Sequence, residues 1–268
     1  MTAGDQPLVG VGVLVTRPAH QAGPLCDALA ARGAAVTRFP VIAIGAAPDP
    51  QALDRGLDRL DCADLVIFVS PNAVDALFRR LAERGQPWPA GVAVATVGRG
   101  TARALAARDV AATVVPADGY DSEALLAQPP LRHVRGQRAM LVRGDGGREL
   151  LRETLEQRGA TVEVLSAYRR ELPDVDPAEL DRAWARSALD VAVVTSGNAL
   201  ENLVMLAGEQ RRSRLLGTGL VVISERVAAR ASGLGFCNGI VTAEGPDTDA
   251  LAAGVERWVA GKRRQANS

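Results

Sequence analysis

One spacing restricts the fold of this chain more than any composition figure does: 126 residues. Arg17 and Arg143 lie that far apart. So do Arg32-Gly33 and Arg158-Gly159, Ser70 in FVSPNAV and Ser196 in VTSGNAL, Val97 and Ile223, and Asp121 and Asp247. A constant offset across five landmarks marks an internal duplication, because unrelated segments drift in register. The period is too long for a solenoid. Strand-like and helix-like segments alternate in each copy, which predicts two similar α/β lobes on parallel sheets, flavodoxin-like in plan.

Strands are predicted over 11–16, 64–69, 92–97 and 112–115, with helices over 20–31, 51–60 and from 70 to about 83. Two segments, 34–46 and 160–172, each follow a helix ending in Arg-Gly, where glycine suits the left-handed position past a helix end. Both are extended in character and about twice the usual strand length of about 5–6 residues. Strands that long can leave their own sheets and pair as a two-stranded connecting ribbon. The expected division is a discontinuous α/β domain over 1–38 and 172–268, an inserted α/β domain over 47–160, and a ribbon of 39–46 and 161–171. Tyr168 then lies where the two lobes meet, its side chain facing outward into a cleft.

Composition narrows the class of function. A chain of 268 residues accommodates two domains. Lys+Arg and Asp+Glu balance at 31 each, so no bulk field points to nucleic acid or an anionic membrane. Cys26, Cys62 and Cys237 are widely spaced, contain no CxxC, and have only His20 and His133 as possible soft co-ligands. That disfavours a disulfide scaffold or a structural zinc, implies no metal, and fits a reducing cytoplasm. The N-terminal apolar run has no basic region ahead of it, so no signal peptide is read. No apolar run approaches the roughly 20 residues that span a bilayer.

In open parallel sheets ligands bind beyond the carboxyl ends of the strands. Those ends are Arg17-Pro18, Ser70-Pro71-Asn72, Gly98 to Thr101 and Pro116 to Asp121 in copy one. In copy two they are Arg143 to Gly147, Ser196-Gly197-Asn198, Ser224 to Val227 and Ala243 to Thr248. Each precedes a helix, whose N-terminus offers free N–H donors and roughly half a positive charge. A neutral protein can thereby build a local anion site, with Arg17 and Arg143 as bidentate donors. Plainer readings stand beside this one. Ser70, Ser196, Ser122 and Thr248 suit helix caps. Gly98-Arg99-Gly100 lacks the third glycine of a dinucleotide fingerprint. RGDGG is a phosphate nest or a turn. Neither histidine has a carboxylate at motif spacing, so no triad or metal mechanism is supported. The residues favour either a binding module or an enzyme whose substrate is intrinsically reactive.

The ordered set VLVTRP, FPVIAI, VIFVSPNAV, ATVGRGTA, LVRGDGGRELLRETLEQRGATVEVLSAYRR and VVTSGNAL resembles the uroporphyrinogen-III synthase family over about 11–259. The resemblance implies two α/β lobes joined by a ribbon, no cofactor, and a reaction. Hydroxymethylbilane, a linear tetrapyrrole with eight carboxylates, loses its hydroxyl to an azafulvene, closes through a spiro intermediate, and recloses with ring D inverted. Because the bilane also cyclises unaided without inversion, the protein chiefly holds a fold of the substrate. Residue by residue, Tyr168 matches the tyrosine that assists departure of the hydroxyl. Thr101 matches a threonine after the glycine turn at Gly98, and Ser70 and Ser196 match the serines of the two S-P/G-N loops, which bring in Asn72, Gly197 and Asn198. Ser224 and Val227 stand where the family often has Gly and Thr, so a contact there is lost or moved to the Ser224 hydroxyl. The partners implied are the small substrate and, in passing, the enzyme that makes hydroxymethylbilane; nothing demands more than a monomer. The competing reading is a two-lobed, non-catalytic binding protein for a small polyanion. If strand-end N–H groups carry most of the binding, Ser70→Ala and Ser196→Ala each weaken product affinity by only about 0.5–2 kcal/mol. Arg17→Ala and Arg143→Ala raise KM more than they lower kcat. Product titration and steady-state kinetics on the purified variants check both.

Overall fold

The computed structural model describes residues 6–117, 119, 121–186 and 189–266. In chain order, β1 (Gly12–Val15) and α1 (Ala19–Ala31) are followed by β2 (Ala35–Arg38), β3 (Ala43–Gly45), α2 (Pro50–Leu57), β4 (Leu65–Phe68) and α3 (Pro71–Glu83). Next come β5 (Ala93–Thr96), α4 (Arg99–Ala106), two short turns of helix, α5 (Ser122–Leu126) and α6 (Pro129–Arg132), then β6 (Arg138–Gly144), α7 (Leu150–Gln157) and β7 (Thr161–Glu171). The chain ends with α8 (Ala178–Arg186), β8 (Leu189–Val194), α9 (Gly197–Leu216), β9 (Gly219–Val222), α10 (Glu225–Leu234), β10 (Ile240–Thr242) and α11 (Thr248–Ala266).

These elements form two units, Met1–Ala43 with Glu171–Ser268, and Ile44–Arg170. The first unit holds a sheet of order β10-β9-β8-β1-β2, parallel at every pairing. The second holds β3-β7-β6-β4-β5, parallel from β7 through β5. The central strands β1, β4 and β9 are buried along their whole length, which is why they read as unbroken apolar runs rather than alternating ones.

Alternation along the strands still decides which helix covers which face. In the first unit Val13, Val15, Val191 and Val193 pack under α1 (Leu25, Leu29) and α11 (Leu251, Val255). On the opposite face Leu14, Ala192 and Val194 pack under α8 (Leu180, Trp184), α9 (Leu200, Leu203) and α10 (Val227, Ala231). In the second unit Val66, Phe68, Met140 and Val142 meet α2 and α3 (Leu57, Val74, Leu77). Leu65, Ile67, Ala139 and Leu141 meet α5 and α7 (Leu125, Leu151, Leu155). Helices after β1 and β8, and after β6 and β4, therefore lie on opposite faces, which makes each of those strand pairs a topological switch point.

The segment 34–46, expected as one long strand, is two short ones. The phenylalanine and valine flanking Pro40 continue the first unit's ladder, Phe39 N–H donating to the Val15 carbonyl at 2.9 Å and Val41 N–H to the Thr16 carbonyl at 3.2 Å. Proline itself has no N–H to continue a ladder, and strand structure resumes only at Ala43, beside β7. The segment 160–172 is one strand of 11 residues, paired with β6 from Thr161 to Tyr168. Of the expected strand 112–115, a single parallel bridge remains, Ala95 to Val114.

Gly219, at the start of β9, lies against the Trp258 indole, which leaves no room for a Cβ. Trp258 in turn donates its Nε1–H to the Asn238 carbonyl at 3.0 Å. Gly219→Ala is expected to destabilise the first unit by about 1–3 kcal/mol, the usual cost of overpacking a filled core. Urea unfolding followed by indole fluorescence measures it, with Trp88 as the reporter in the second unit.

Candidate active site

Among the described residues, the chemistry-bearing side chains gather at the carboxyl ends of the two sheets. In the second unit β4 runs into α3 through Ser70, whose extended backbone (φ −164°, ψ 160°) and side-chain oxygen make it the helix cap; Oγ accepts the Ala73 N–H at 3.1 Å. Pro71 follows at the first helical position, where its missing N–H costs nothing. Asn72, the next residue, is half-buried. The next strand, β5, runs into α4 through Gly98, which has no side chain to cap the helix. The first N–H groups of α4 thus have no side-chain acceptor from the capping position. Thr101 is buried in the first turn of α4, and the Thr96 hydroxyl donates to the Gly98 carbonyl at 3.3 Å.

Tyr168 is not outward-facing. It is fully buried, packed in the same cluster as Phe68 and Val142 under α3. The cause is a bulge: the β6–β7 register runs Arg143 to Ser166 and then Gly144 to Tyr168, leaving Ala167 as an extra residue. Strict alternation from Leu165 would turn Tyr168 to the opposite face; the extra residue returns it to Leu165's face. Gly144 makes room for the ring, since a Cβ there would lie 2.7 Å from two of its carbons. The Tyr168 hydroxyl then sits 3.1 Å from Ser70 Oγ. Arg170 lies over the ring at 5.9 Å from its centroid. The polar tip of a buried tyrosine is thereby hydrogen-bonded to a half-buried serine at a helix N-terminus.

Arg143, at the end of β6, holds the turn that follows it. Its Nη2 donates to Glu149 Oε1 at 2.6 Å and its Nη1 to the Arg148 carbonyl at 3.1 Å. That hydrogen bond holds the Glu149 carboxyl below its ordinary pKa. Sequence reasoning does not single out Glu149; the available signal is its place two residues beyond the Gly146-Gly147 turn, within reach of the arginine that opens it.

In the first unit Ser196 repeats the role of Ser70, its Oγ accepting the Ala199 N–H at 3.1 Å at the start of α9. Gly197 opens that helix, and Asn198 is exposed, donating to Asn202 Oδ1 at 3.1 Å. Ser224 caps α10 with a longer bond to the Val227 N–H, 3.4 Å. Arg17 leaves β1 and donates to the Pro246 carbonyl, next to the cap of α11, Asp247, whose carboxylate accepts the Ala250 N–H at 3.0 Å. Burial pushes the Arg17 pKa down and Asp247 opposes the shift. Both arginines expected as free bidentate donors are therefore held by internal acceptors. The loop 116–121 includes residues 118 and 120, which lie outside the described residues.

The structure brings Ser70 and Tyr168 together and sets the other expected residues one to three to a strand end. No group of three or more His, Cys, Asp or Glu among the described residues is arranged to hold a metal ion. No helix among them is long and apolar enough to cross a membrane. Cys26, Cys62 and Cys237 are unpaired.

Comparison with known proteins completes this picture. Residues 24–253 match the family model described as uroporphyrinogen-III synthase HemD. The chain is 37% identical over 242 residues to uroporphyrinogen-III synthase of Salmonella typhimurium, covering 90% of this chain and 98% of that protein. It is 35% identical over 243 residues to the Escherichia coli K12 enzyme of the same name, with the same coverage. In fold it resembles a crystal structure of a mutant uroporphyrinogen III synthase from the extremely thermophilic bacterium Thermus thermophilus, with a TM-score of 0.58, 23% identity, and 94% and 99% of the two chains covered. It also resembles uroporphyrinogen-III synthetase from Helicobacter pylori 26695, with a TM-score of 0.59, 13% identity, and 91% and 97% covered.

Tyr168→Phe removes one hydrogen bond and keeps the ring, so it is expected to lower stability by about 0.5–1.5 kcal/mol. Gly144→Ala, which drives a methyl into that ring, is expected to cost about 1–3 kcal/mol. Urea midpoints of the two variants against the parent protein check the order.

Proposed function

The chain belongs to the uroporphyrinogen-III synthase family, and on that premise we propose that it cyclises hydroxymethylbilane, with loss of water and inversion of ring D, to uroporphyrinogen III. The observation that carries the reading is the combination of family membership with sheet edges rich in helix N-termini and poor in acid–base groups. Such an edge suits a substrate of eight carboxylates that supplies its own reactivity.

The reading extends to the architecture. The two units are copies of one flavodoxin-like unit, and the strand starts support this: Gly12 and Arg138, Ala35 and Thr161, and Ala93 and Gly219 are each 126 residues apart. The spatial orders β2-β1-β8-β9-β10 and β7-β6-β4-β5, the latter extended by the Val114 bridge, follow the same 2-1-3-4-5 plan. The chain passes between units near Ala43–Ile44 and returns near Arg170–Glu171, which supports crossings that fall within the expected ribbon segments 39–46 and 161–171, between a domain of 1–38 with 172–268 and one of 47–160, although 161–168 also serve as a strand of the second sheet. The substrate is bound by the helix N-termini after β4, β5, β8 and β9, through Ser70, Asn72, Gly98, Thr101, Ser196, Gly197, Asn198 and Ser224, with Arg17 and Arg143 beside them. The protein acts as a cytoplasmic monomer receiving its substrate from the hydroxymethylbilane-producing enzyme; three unpaired cysteines support a reducing compartment.

In this reading the proton for the departing hydroxyl passes through Ser70, whose hydroxyl gives one hydrogen to the leaving oxygen and regains one from the pyrrole N–H that is lost as the azafulvene forms. The Ser70 oxygen accepts from Ala73 N–H and is 3.1 Å from the Tyr168 hydroxyl; with the phenol taken as donor in that pair, the serine's own hydrogen is left to donate outward. Tyr168 is then a positioning residue, orienting the Ser70 hydroxyl from behind. A positioned donor contributes about 10²–10⁴-fold in rate. Incubation with freshly generated hydroxymethylbilane and chromatographic separation of the isomers tests the proposal: uroporphyrinogen III is expected, and the uninverted isomer alone, as in a protein-free blank, overturns it. Ser70→Ala and Tyr168→Phe are both expected to lower kcat more than they raise KM, and to raise the uninverted fraction. The double variant should be no worse than the poorer single one. Full turnover in Ser70→Ala with a large loss in Tyr168→Phe would remove Ser70 from the proton path.

A further inference from the structure

Within the described residues, three buried side-chain polar atoms have no hydrogen-bond partner: Arg143 Nε, Glu149 Oε2 and Arg152 Nε. All three belong to one cluster, at the switch point between β6 and β4. Glu149 Oε2 and Arg152 Nε are 3.0 Å apart yet not aligned to share a hydrogen. Buried polar atoms are nearly always paired, so a cluster of three unpaired ones marks a place where another arrangement, or another group, satisfies them better.

The cluster is two guanidinium groups around one carboxylate. Glu149 lies 2.6 Å from Arg143 on one side and 3.0 Å from Arg152 on the other. The Arg143 side chain is 13% exposed, against 37% for Glu149. The carboxylate is thus more accessible than the Arg143 fork it occupies, while Arg152, at 42%, is the most exposed of the three. Glu149 stands at the capping position of α7 without capping it. The turn before it, Gly146 and Gly147 with φ +65° and +120°, has nothing within 4 Å of where a Cβ would project. Released from Arg143, the Glu149 carboxylate could turn to the uncapped N–H groups of its own helix, where negative charge is favoured.

Building on the synthase reading above, we propose that Glu149 is an internal substitute for a substrate carboxylate: in the empty protein it occupies the Arg143 fork, and an incoming carboxylate of the tetrapyrrole displaces it. Glu149 then sets affinity by competition. The apparent dissociation constant rises as the fraction of protein with a free fork falls. It also sets selectivity, since a ligand without a carboxylate at that position has nothing with which to replace Glu149.

The test uses the full chain and two readouts, KM for hydroxymethylbilane and binding of the octacarboxylate uroporphyrin III by fluorescence titration. Glu149→Gln keeps the shape and removes the charge. It is expected to lower KM and tighten uroporphyrin binding by about three- to tenfold, with kcat unchanged. Arg143→Ala is expected to weaken both, and in that background Glu149→Gln should have no further effect. Glu149→Asp, which keeps the charge but withdraws it by one methylene, should tighten binding in the same direction and serves if Glu149→Gln does not fold. Unchanged or weaker binding in a folded Glu149 variant overturns the proposal and makes the ion pair a strut for the 145–149 turn. A parent protein that binds uroporphyrin III but gives no uroporphyrinogen III would sink the synthase reading instead.

Discussion

Parallel pairing is the constraint on which the rest depends. A parallel strand cannot return through a tight turn, so each connection must cross a face of the sheet, and here nearly every one does so as a helix. The inner strands are consequently buried on both faces, and within each unit the helices that follow its parallel strands begin at the carboxyl edge of that unit's own sheet. Their unpaired N–H groups collect there whatever the ligand. In a chain with balanced charge, 31 basic and 31 acidic residues, backbone geometry alone thus places partial positive charge at those helix starts.

How those helix starts are finished gives the edge its chemistry. Ser70, Ser196 and Ser224 share nearly the same extended backbone and the same bond to the N–H three residues on. Only Ser70 has a second partner, and it has one because a single extra residue in β7 swings Tyr168 under α3. The two units are thereby made chemically unequal on a similar plan. A bulge beside Gly144, which lacks the atom that would block the ring, moves Tyr168 from the face of α5 and α7 to the face of α3, where its hydroxyl reaches Ser70.

The arginines tell a similar story. From sequence, Arg17 and Arg143 are cations at strand ends and nothing more specific. In the folded chain each is held by acceptors from a neighbouring turn, Arg17 by the Pro246 carbonyl near Asp247 and Arg143 by Glu149. A guanidinium held in this way is preorganised but occupied. Whether it meets a ligand is governed by how readily its internal partner leaves, a quantity that depends on the carboxylate as much as on the arginine.

Much of the secondary structure was legible in the residues: the apolar runs of β1 and β4 and the Ser70 and Ser196 caps are local, and local patterns survive folding. The family was legible from the order of its motifs, and 24–253 match its model. The break at Pro40 was legible in principle, since a missing N–H is a property of the residue itself. Tertiary structure alone decided the direction of Tyr168, because strand alternation is a rule of the backbone and a bulge is a property of two strands together. It alone decided the partner of Arg143, because a side chain's acceptor is chosen by the turn that brings it within reach. What the sequence determined by itself is therefore the α/β class and most of its elements; what only the folded chain decided is which polar groups touch, since contact depends on register, and register is settled between strands rather than within one.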